Sequence, residues 1–341
     1  MASGVTPEQK RQLETLLAKH EKRIRDAFLL AVEIAHERLD FDALVEAIEN
    51  NDIARAAELL RIDNVALFPL QEAIRAAFIE AGMTVTVPRA IAGGFGFNGR
   101  HRFAERIIAE TGARLVTEMG NPGTEILREI ILDGAQKGIG AQKVARQLGG
   151  VINPKTGKRE GGVLGLDAPR AERAWRVRAI LSDPSRIADY FLPGGQPRYK
   201  STDRRFDALV RRAIKEGKAL PAADVERIAR AHEARLLKAR AQTVSLNESF
   251  TATAAGRYEA FRQMLESGVV EKIDKTWSHN TLKNPRHDHQ ATNGVTKPLA
   301  EPFIMADGTP MQFPHDPAGG AKHSISCRCV VVYKPQFKRP K

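Results

Sequence analysis

Cysteine is nearly missing from this chain: Cys327 and Cys329 are the two among 341 residues. So few thiols exclude a disulfide scaffold and suit a reducing compartment. Aromatic residues are sparse at 6%, and no run of about 18 apolar residues occurs, so no membrane-spanning helix is expected. The first residues lack the apolar core of a signal peptide. Hydrophobic residues still make up 42% of the chain, enough to fold, and the length suits two or three domains.

Negative charge is short in one part only. Residues 1–140 carry 17 basic and 21 acidic residues, whereas residues 141–341 carry 36 and 20. The whole excess of the +12 net charge therefore lies in the C-terminal three-fifths. That asymmetry points to a polyanion near this part, most simply nucleic acid.

Helical periodicity dominates up to about residue 267. Residues 7–39 read as one long amphipathic helix, with Thr6 as its cap, Pro7 at its first position and Leu13, Leu16, Leu17, Ile24, Phe28 and Leu29 as its apolar stripe. Helices are predicted over 40–51, 52–62 and 67–82, the last stopping at Gly82, followed by a short strand over 84–88. Gly94, Gly96 and Gly99 match G-x-G-x-x-G. A dinucleotide fold would need a buried strand before that loop, so a glycine turn with Asn98 at a helix start is the better account.

Residues 121–150 read as two helices joined at "KGIG", the outline of a helix-turn-helix with Lys143 and Arg146 on its second helix. Residues 149–168 are glycine-rich and basic and read as an exposed linker, with Asp167 and Pro169 starting the next helix. Residues 190–202 read as irregular, with a helix from 203 to Gly217 and a long, nearly continuous one after 220. On that last helix Arg227, Arg230, Arg235, Lys238 and Arg240 surround a stripe of Val225, Ile228, Leu236 and Leu237. These five bases are the candidate DNA contacts.

Periodicity changes near residue 268, where prolines and glycines punctuate short apolar pieces. The predicted domains are a helical head region at 1–120, a basic helical region at 121–267, a small module at 268–334 and a basic tail at 335–341. The fold class is mainly α, with extended helical N-terminal and middle regions and a small α+β C-terminal module.

That module holds five of the nine histidines, His279, His287, His289, His315 and His323, beside both cysteines. On a strand, Cys327 and Cys329 would face one point while Arg328 faces away. Three readings stay open: a structural zinc site, two thiols packed as small core residues, or a strained local disulfide. A Cys–His nucleophile pair, or histidines with Asp288 or Asp316 around a nuclease metal, would make an enzyme instead.

In chain order the module reads "KTW" (275–277), "PRHDHQATNG" (285–294), "EPF" (301–303), "FPHDPAGGA" (313–321) and "SCRC" (326–329). This order resembles the C-terminal module of phage Mu F-like minor head proteins, also called phage head morphogenesis proteins. Arg286 and His289 take its R-x-x-H positions, Asn293-Gly294, Phe303, Pro314, Asp316 and Pro317 fall in line, and Cys327, Arg328 and Cys329 complete it. His315 stands where the glycine of the proline turn is usual, and "SHNTLKN" stands where many members carry an acid.

The resemblance implies a minor component of a tailed-phage or prophage head. Such a protein would associate with the portal and other head proteins inside the procapsid and contact packaged double-stranded DNA without sequence specificity. It would reside in the virion after assembly in the host cytoplasm, with no membrane partner. The resemblance also raises the zinc reading, with His289, Cys327, Cys329 and His323 as ligands and His287, His315 or Asp316 as alternatives for the fourth. The rival is a metal-dependent nuclease or cysteine hydrolase acting during packaging or delivery.

Overall fold

The computed structural model describes residues 7–88, 94–119, 123–279 and 286–338. The chain is mainly α, with a small α+β module near its C-terminus. It divides into two compact units, each assembled from separate stretches of chain. One contains residues 1–28, 69–113 and 242–341; the other contains residues 29–68 and 114–241.

The expected long helix is α1, Pro7–Arg38; Thr6 lies outside the described residues. Helices α2 (Phe41–Glu49) and α3 (Ile53–Leu59) follow, capped by the carboxylates of Asp40 and Asp52, which accept from Ala43 N and Arg55 N. The next helix, α4, runs Asn64–Met83, so Gly82 is inside it rather than its stop. The reason is a neighbour: a Cβ on Gly82 would stand 2.4 Å from the Phe97 ring. Residues 84–88 form no strand; Val85 instead buries itself in the apolar cluster beneath the C-terminal sheet.

The G-x-G-x-x-G stretch is the glycine turn expected. Asn98 Oδ1 accepts from Arg100 N, just before α5 (Arg102–Met119). Gln263 clamps the turn by both backbone groups of one residue, its Oε1 accepting from Asn98 N at 2.9 Å and its Nε2 donating to Asn98 O at 3.1 Å.

In the second unit, α6 (Thr124–Gln136) and α7 (Ala141–Gly149) form the expected pair, with Val144, Ala145 and Leu148 buried and Lys143 and Arg146 exposed. The glycine-rich stretch after them is not an exposed linker. It makes a hairpin of β1 (Val151–Ile152) and β2 (Arg159–Glu160) and then buries Val163, Leu164 and Leu166. Gly162 permits this: its φ is +74° and a Cβ there would meet Leu148 O at 2.4 Å. Asp167 caps α8 (Ala168–Ser182) as the sequence indicates. Helix α9 spans Asp207–Glu216 and ends on Gly217 in the left-handed conformation.

Helix α10, Ala222–Glu266, is the long continuous helix, and its first half builds the core of this unit. Val225 and Ile228 join Val177, Ile180, Val210 and Tyr190. Beside them Arg178, 6% exposed, is held between Glu226 and Glu233. Glu233 also accepts from Gly162 N at 2.9 Å, which ties the glycine stretch to α10. A buried charge supplied with two acids in this way is satisfied rather than reactive.

In the first unit the second half of α10 backs a three-stranded antiparallel sheet of order β4-β3-β7, from Thr296–Pro298, Val270–Ser278 and Val330–Phe337. A second hairpin pairs β5 (Phe303–Ile304) with β6 (Pro310–Met311). Where α10 meets α4, a Cβ on Gly256 would lie 2.1 Å from Phe78 O. Gly256→Ala is therefore expected to lower stability by about 2–3 kcal/mol, read as a lower urea midpoint with an unchanged slope.

Candidate metal centre

Trp277 organises the centre. It is fully buried on β3, edge-on to the rings of His289 (5.4 Å) and Phe303 (5.3 Å). Its backbone closes a turn against the segment that carries His289: Trp277 N donates to Val295 O and Gly294 N to Trp277 O, at 3.0 and 2.9 Å. Gly294 has φ +81°, a value that favours glycine, which gives the Asn-Gly pair its physical reason. Asn293 adds its carbonyl, accepting from His279 N at 2.9 Å. The short helix α11, His287–Ala291, then points His289 inward, 2% exposed.

Cys327 and Cys329 arrive from the other side, 3% and 5% exposed, and neither forms a disulfide. They precede β7 rather than lying on it, so strand alternation is not what aims them. A turn does, with Ser326 at φ +59°, and Cys329 N donates to Cys327 Sγ at 3.4 Å. Arg328 is exposed, as expected. Three contacts fix this turn: Arg286 donates to Ile325 O (2.5 Å), Ser326 N to Asn247 Oδ1 (2.9 Å) and His315 Nε2 to Cys327 O (2.8 Å). Arg286, the arginine of R-x-x-H, is thus the strap that holds the cysteine segment against the histidine helix.

The two sulfurs converge on one atom. His289 Nδ1 lies 3.4 Å from Cys327 Sγ and 3.6 Å from Cys329 Sγ, and the three donor atoms all lie within 4.8 Å of one another. Hydrogen bonding from Cys329, ahead of that from His289 and His315, holds the Cys327 thiol well below the usual thiol range. A thiol so placed is easily converted to the thiolate that binds metals.

His323, on α12 (Gly320–Ser324), stands behind His289 instead of beside the sulfurs. Its Nδ1 is 3.3 Å from His289 Nε2, the two rings are stacked, and its Nε2 is 3.1 Å from Asp307 Oδ2. Asp307 is held well below the usual carboxylate range, first by Lys322 at 2.6 Å and then by Thr309. With both rings neutral, one proton arrangement satisfies the chain: His289 Nε2–H donates to His323 and His323 Nε2–H donates to Asp307. That leaves the lone pair of His289 Nδ1 facing the sulfurs. Outer carboxylate–histidine partners of this kind orient a metal-binding imidazole.

The other candidates for a fourth ligand separate cleanly. His287 is 92% exposed in its side chain. Asp316 is occupied by backbone, accepting from Gln312 N (2.7 Å) and Ala318 N (3.0 Å). His315 is 1% exposed, sits at φ +67°, and its Nδ1 is buried with no hydrogen-bond partner. Asp288, Asp307 and His323 form a second, more exposed group. Composition could not have assigned Asp307 its place; only the hairpin of β5 and β6 brings it to His323.

The five candidate DNA contacts do not share one face. Arg227 (59% exposed) pairs with Asp224, Arg230 (43%) reaches Glu226 at 3.9 Å, and Lys238 is exposed. Arg235 is bound to Asp203 at 3.2 Å and to Thr202 O at 3.0 Å. Arg240 lies inside the second unit, 4% exposed, donating to Gly165 O at 2.7 Å, and burial pushes its guanidinium down to about 10. It holds the glycine stretch rather than a phosphate.

Residues 205–332 match the family model described as phage Mu protein F like protein. No curated protein and no solved structure matches the chain. The matched stretch covers α9, α10 and the centre just described, little more than a third of the chain, and makes this part a Mu F-like domain by similarity. No helix among the described residues is long and apolar enough to cross a membrane.

Proposed function

We propose, on the premise of that Mu F-like domain, that this chain is a minor head protein of a tailed phage or prophage. It associates with the portal and other head proteins inside the procapsid and touches packaged DNA without reading its sequence. The family match over residues 205–332 carries the reading. The charge distribution supports it: about 16 net positive charges in residues 141–341 give salt-sensitive affinity for phosphate regardless of sequence. The exposed bases Arg227, Arg230 and Lys238 on α10 are the contacts proposed, with Arg235 contributing from its place beside Asp203.

Within that role the C-terminal module is held together by zinc. His289 Nδ1, Cys327 Sγ and Cys329 Sγ fit the metal: two thiols and an imidazole, buried, mutually close, and backed by the His323–Asp307 chain. His315, whose Nε2 donates to Cys327 O and whose buried Nδ1 has no hydrogen-bond partner, is the residue we propose as fourth donor. Bound zinc would contribute folding energy to the loop-rich part of the module that holds these ligands. The hydrolase alternative needs a thiol that substrate can reach, and both thiols are buried.

DNA contact is tested by fluorescence anisotropy with unrelated duplexes of equal length across a salt series. The duplexes are expected to bind alike. The triple variant Arg227→Ala/Arg230→Ala/Lys238→Ala is expected to bind at least tenfold more weakly, with the salt slope reduced by about 3. Binding that strongly favours one duplex, or a slope that does not move, would remove these residues from the interface.

A further inference from the structure

Near the metal centre, in the same unit, a small pocket is lined by α1, α10 and β7. Its walls are apolar, from Leu17, Phe250 and Val331 among others, and Cys329 closes part of one side. Its volume is about 20 Å³, room for one or two water-sized atoms. Three polar residues line it: Thr253, Arg257 and Tyr333. Thr253 Oγ1, Arg257 Nε and Tyr333 Oη are all sealed from solvent, and none has a hydrogen-bond partner.

Arg257 makes this more than a gap in packing. Among the described residues it forms no ion pair; its one aromatic contact places the guanidinium 5.9 Å from the Tyr333 ring centre. The two arginines that are buried among the described residues both have compensation: Arg178 has Glu226 and Glu233, and Arg240 has a carbonyl. A cation in apolar surroundings without a counter-charge is costly, and leaving one donor unmade adds to the cost. Tyr333 cannot provide the charge as a phenolate, because burial pushes its hydroxyl up and keeps the proton on it. Arg257 Nε can only donate, and the protonated Tyr333 and Thr253 hydroxyls can donate too. No carboxylate lines the pocket, and the one sulfur in its lining, Cys329, belongs to the proposed zinc set, so nothing there is left to bind a cation. Phosphate and sulfate are too large for about 20 Å³, and a carboxylate brings three heavy atoms.

We propose that this pocket is a halide site, in which one chloride ion held by Arg257 Nε–H and the Tyr333 and Thr253 hydroxyls supplies the missing counter-charge. The ion ties the second half of α10 to β7, next to the turn that carries the cysteines. Its three donors, Arg257, Tyr333 and Thr253, lie outside the zinc ligand set, which the pocket meets only at the wall formed by Cys329.

The test uses the full chain. Crystals soaked in sodium bromide are expected to show an anomalous peak within contact distance of Arg257 Nε. Melting at fixed ionic strength is expected to be about 3 °C higher in chloride than in gluconate. Chloride-35 line broadening, titrated away by bromide, reports the same site in solution. Tyr333→Phe is expected to weaken the halide about tenfold, and Arg257→Met to abolish the chloride dependence. Should Arg257→Met fail to fold, the wild-type bromide peak and line broadening decide alone. No peak in the pocket, or equal melting in chloride and gluconate, overturns the proposal. A peak without any chloride dependence means an adventitious ion only and overturns it as well, as does displacement by acetate in place of bromide.

Discussion

Protein purified without chelator is expected to carry one zinc per chain, and His289→Ala is expected to lose nearly all of it. Elemental analysis on desalted protein measures both. Cys327→Ser and Cys329→Ser should behave alike, since each removes one of three donor atoms that lie within 4.8 Å of one another. His323→Ala removes only the outer support of His289, so its metal affinity should fall by about 10–100-fold rather than vanish. His287→Ala, on the same short helix but 92% exposed, should change nothing.

The stability effect should be large. Structural zinc contributes about 10 kcal/mol or more at pH 7 in small metal-held folds. Chelation or His289→Ala should therefore unfold the C-terminal sheet while the helices of the other unit persist. Near-ultraviolet circular dichroism reports the loss through Trp277, whose ring packs on His289. A metal-free protein that melts unchanged with chelator would return the two cysteines to the role of small core residues.

The second large effect concerns Lys275. It lies on β3 with 0% exposure, donating to Gln312 O (2.9 Å) and Gln312 Oε1 (2.6 Å), with the rings of Tyr258 and Phe303 about it. Among the described residues it has no ion pair, and burial pushes its ammonium down from 10.5 to about 7, against weak opposing pulls from Asp316 and Glu301. The folded-state value is the lower one, so between pH 7 and 10.5 the unfolded chain binds more protons than the folded one. Stability must then rise with pH across that window and be flat below it with respect to this group. The full gain is on the order of 5 kcal/mol. Urea midpoints of the wild type and of Lys275→Met, taken at pH 7, 8, 9 and 10, isolate it. The wild type should gain on the variant as pH rises; a constant difference would mean the ammonium stays charged in the fold.

The long helices were legible because one rule sufficed for each. Apolar spacing marked α1 and α10, Asp167 and Pro169 marked the start of α8, and Gly217 marked the end of α9. Reading failed where a distant neighbour decided the outcome. Gly82 continues α4 because Phe97 needs the space, and Val85 leaves the strand pattern because an apolar cluster takes it. The stretch after Gly149 reads as a linker by composition, yet Glu233 and Arg240 bind its backbone and draw it inward. Arg240 looks like its neighbours in sequence, and only helical phase against the core separates it from Lys238.

At the centre, residue types and order pointed to His289, Cys327 and Cys329, and the fold brings these three together. What pattern could not assign was rank. His323 is one shell farther out, Asp316 is spent on backbone, and His315 is left with an orphaned nitrogen. The backbone also turns with positive φ at His315 and Ser326, which no periodicity announces.

Residence in the phage head is tested most directly by quantitative mass spectrometry of purified DNA-filled heads from the phage or prophage that encodes this chain. The expected result is the chain present in low copy number, cross-linked to the portal protein, and shielded from added protease until the heads are opened. Particles that contain portal and coat proteins but none of this chain, with all of it left in the lysate, would contradict a head protein.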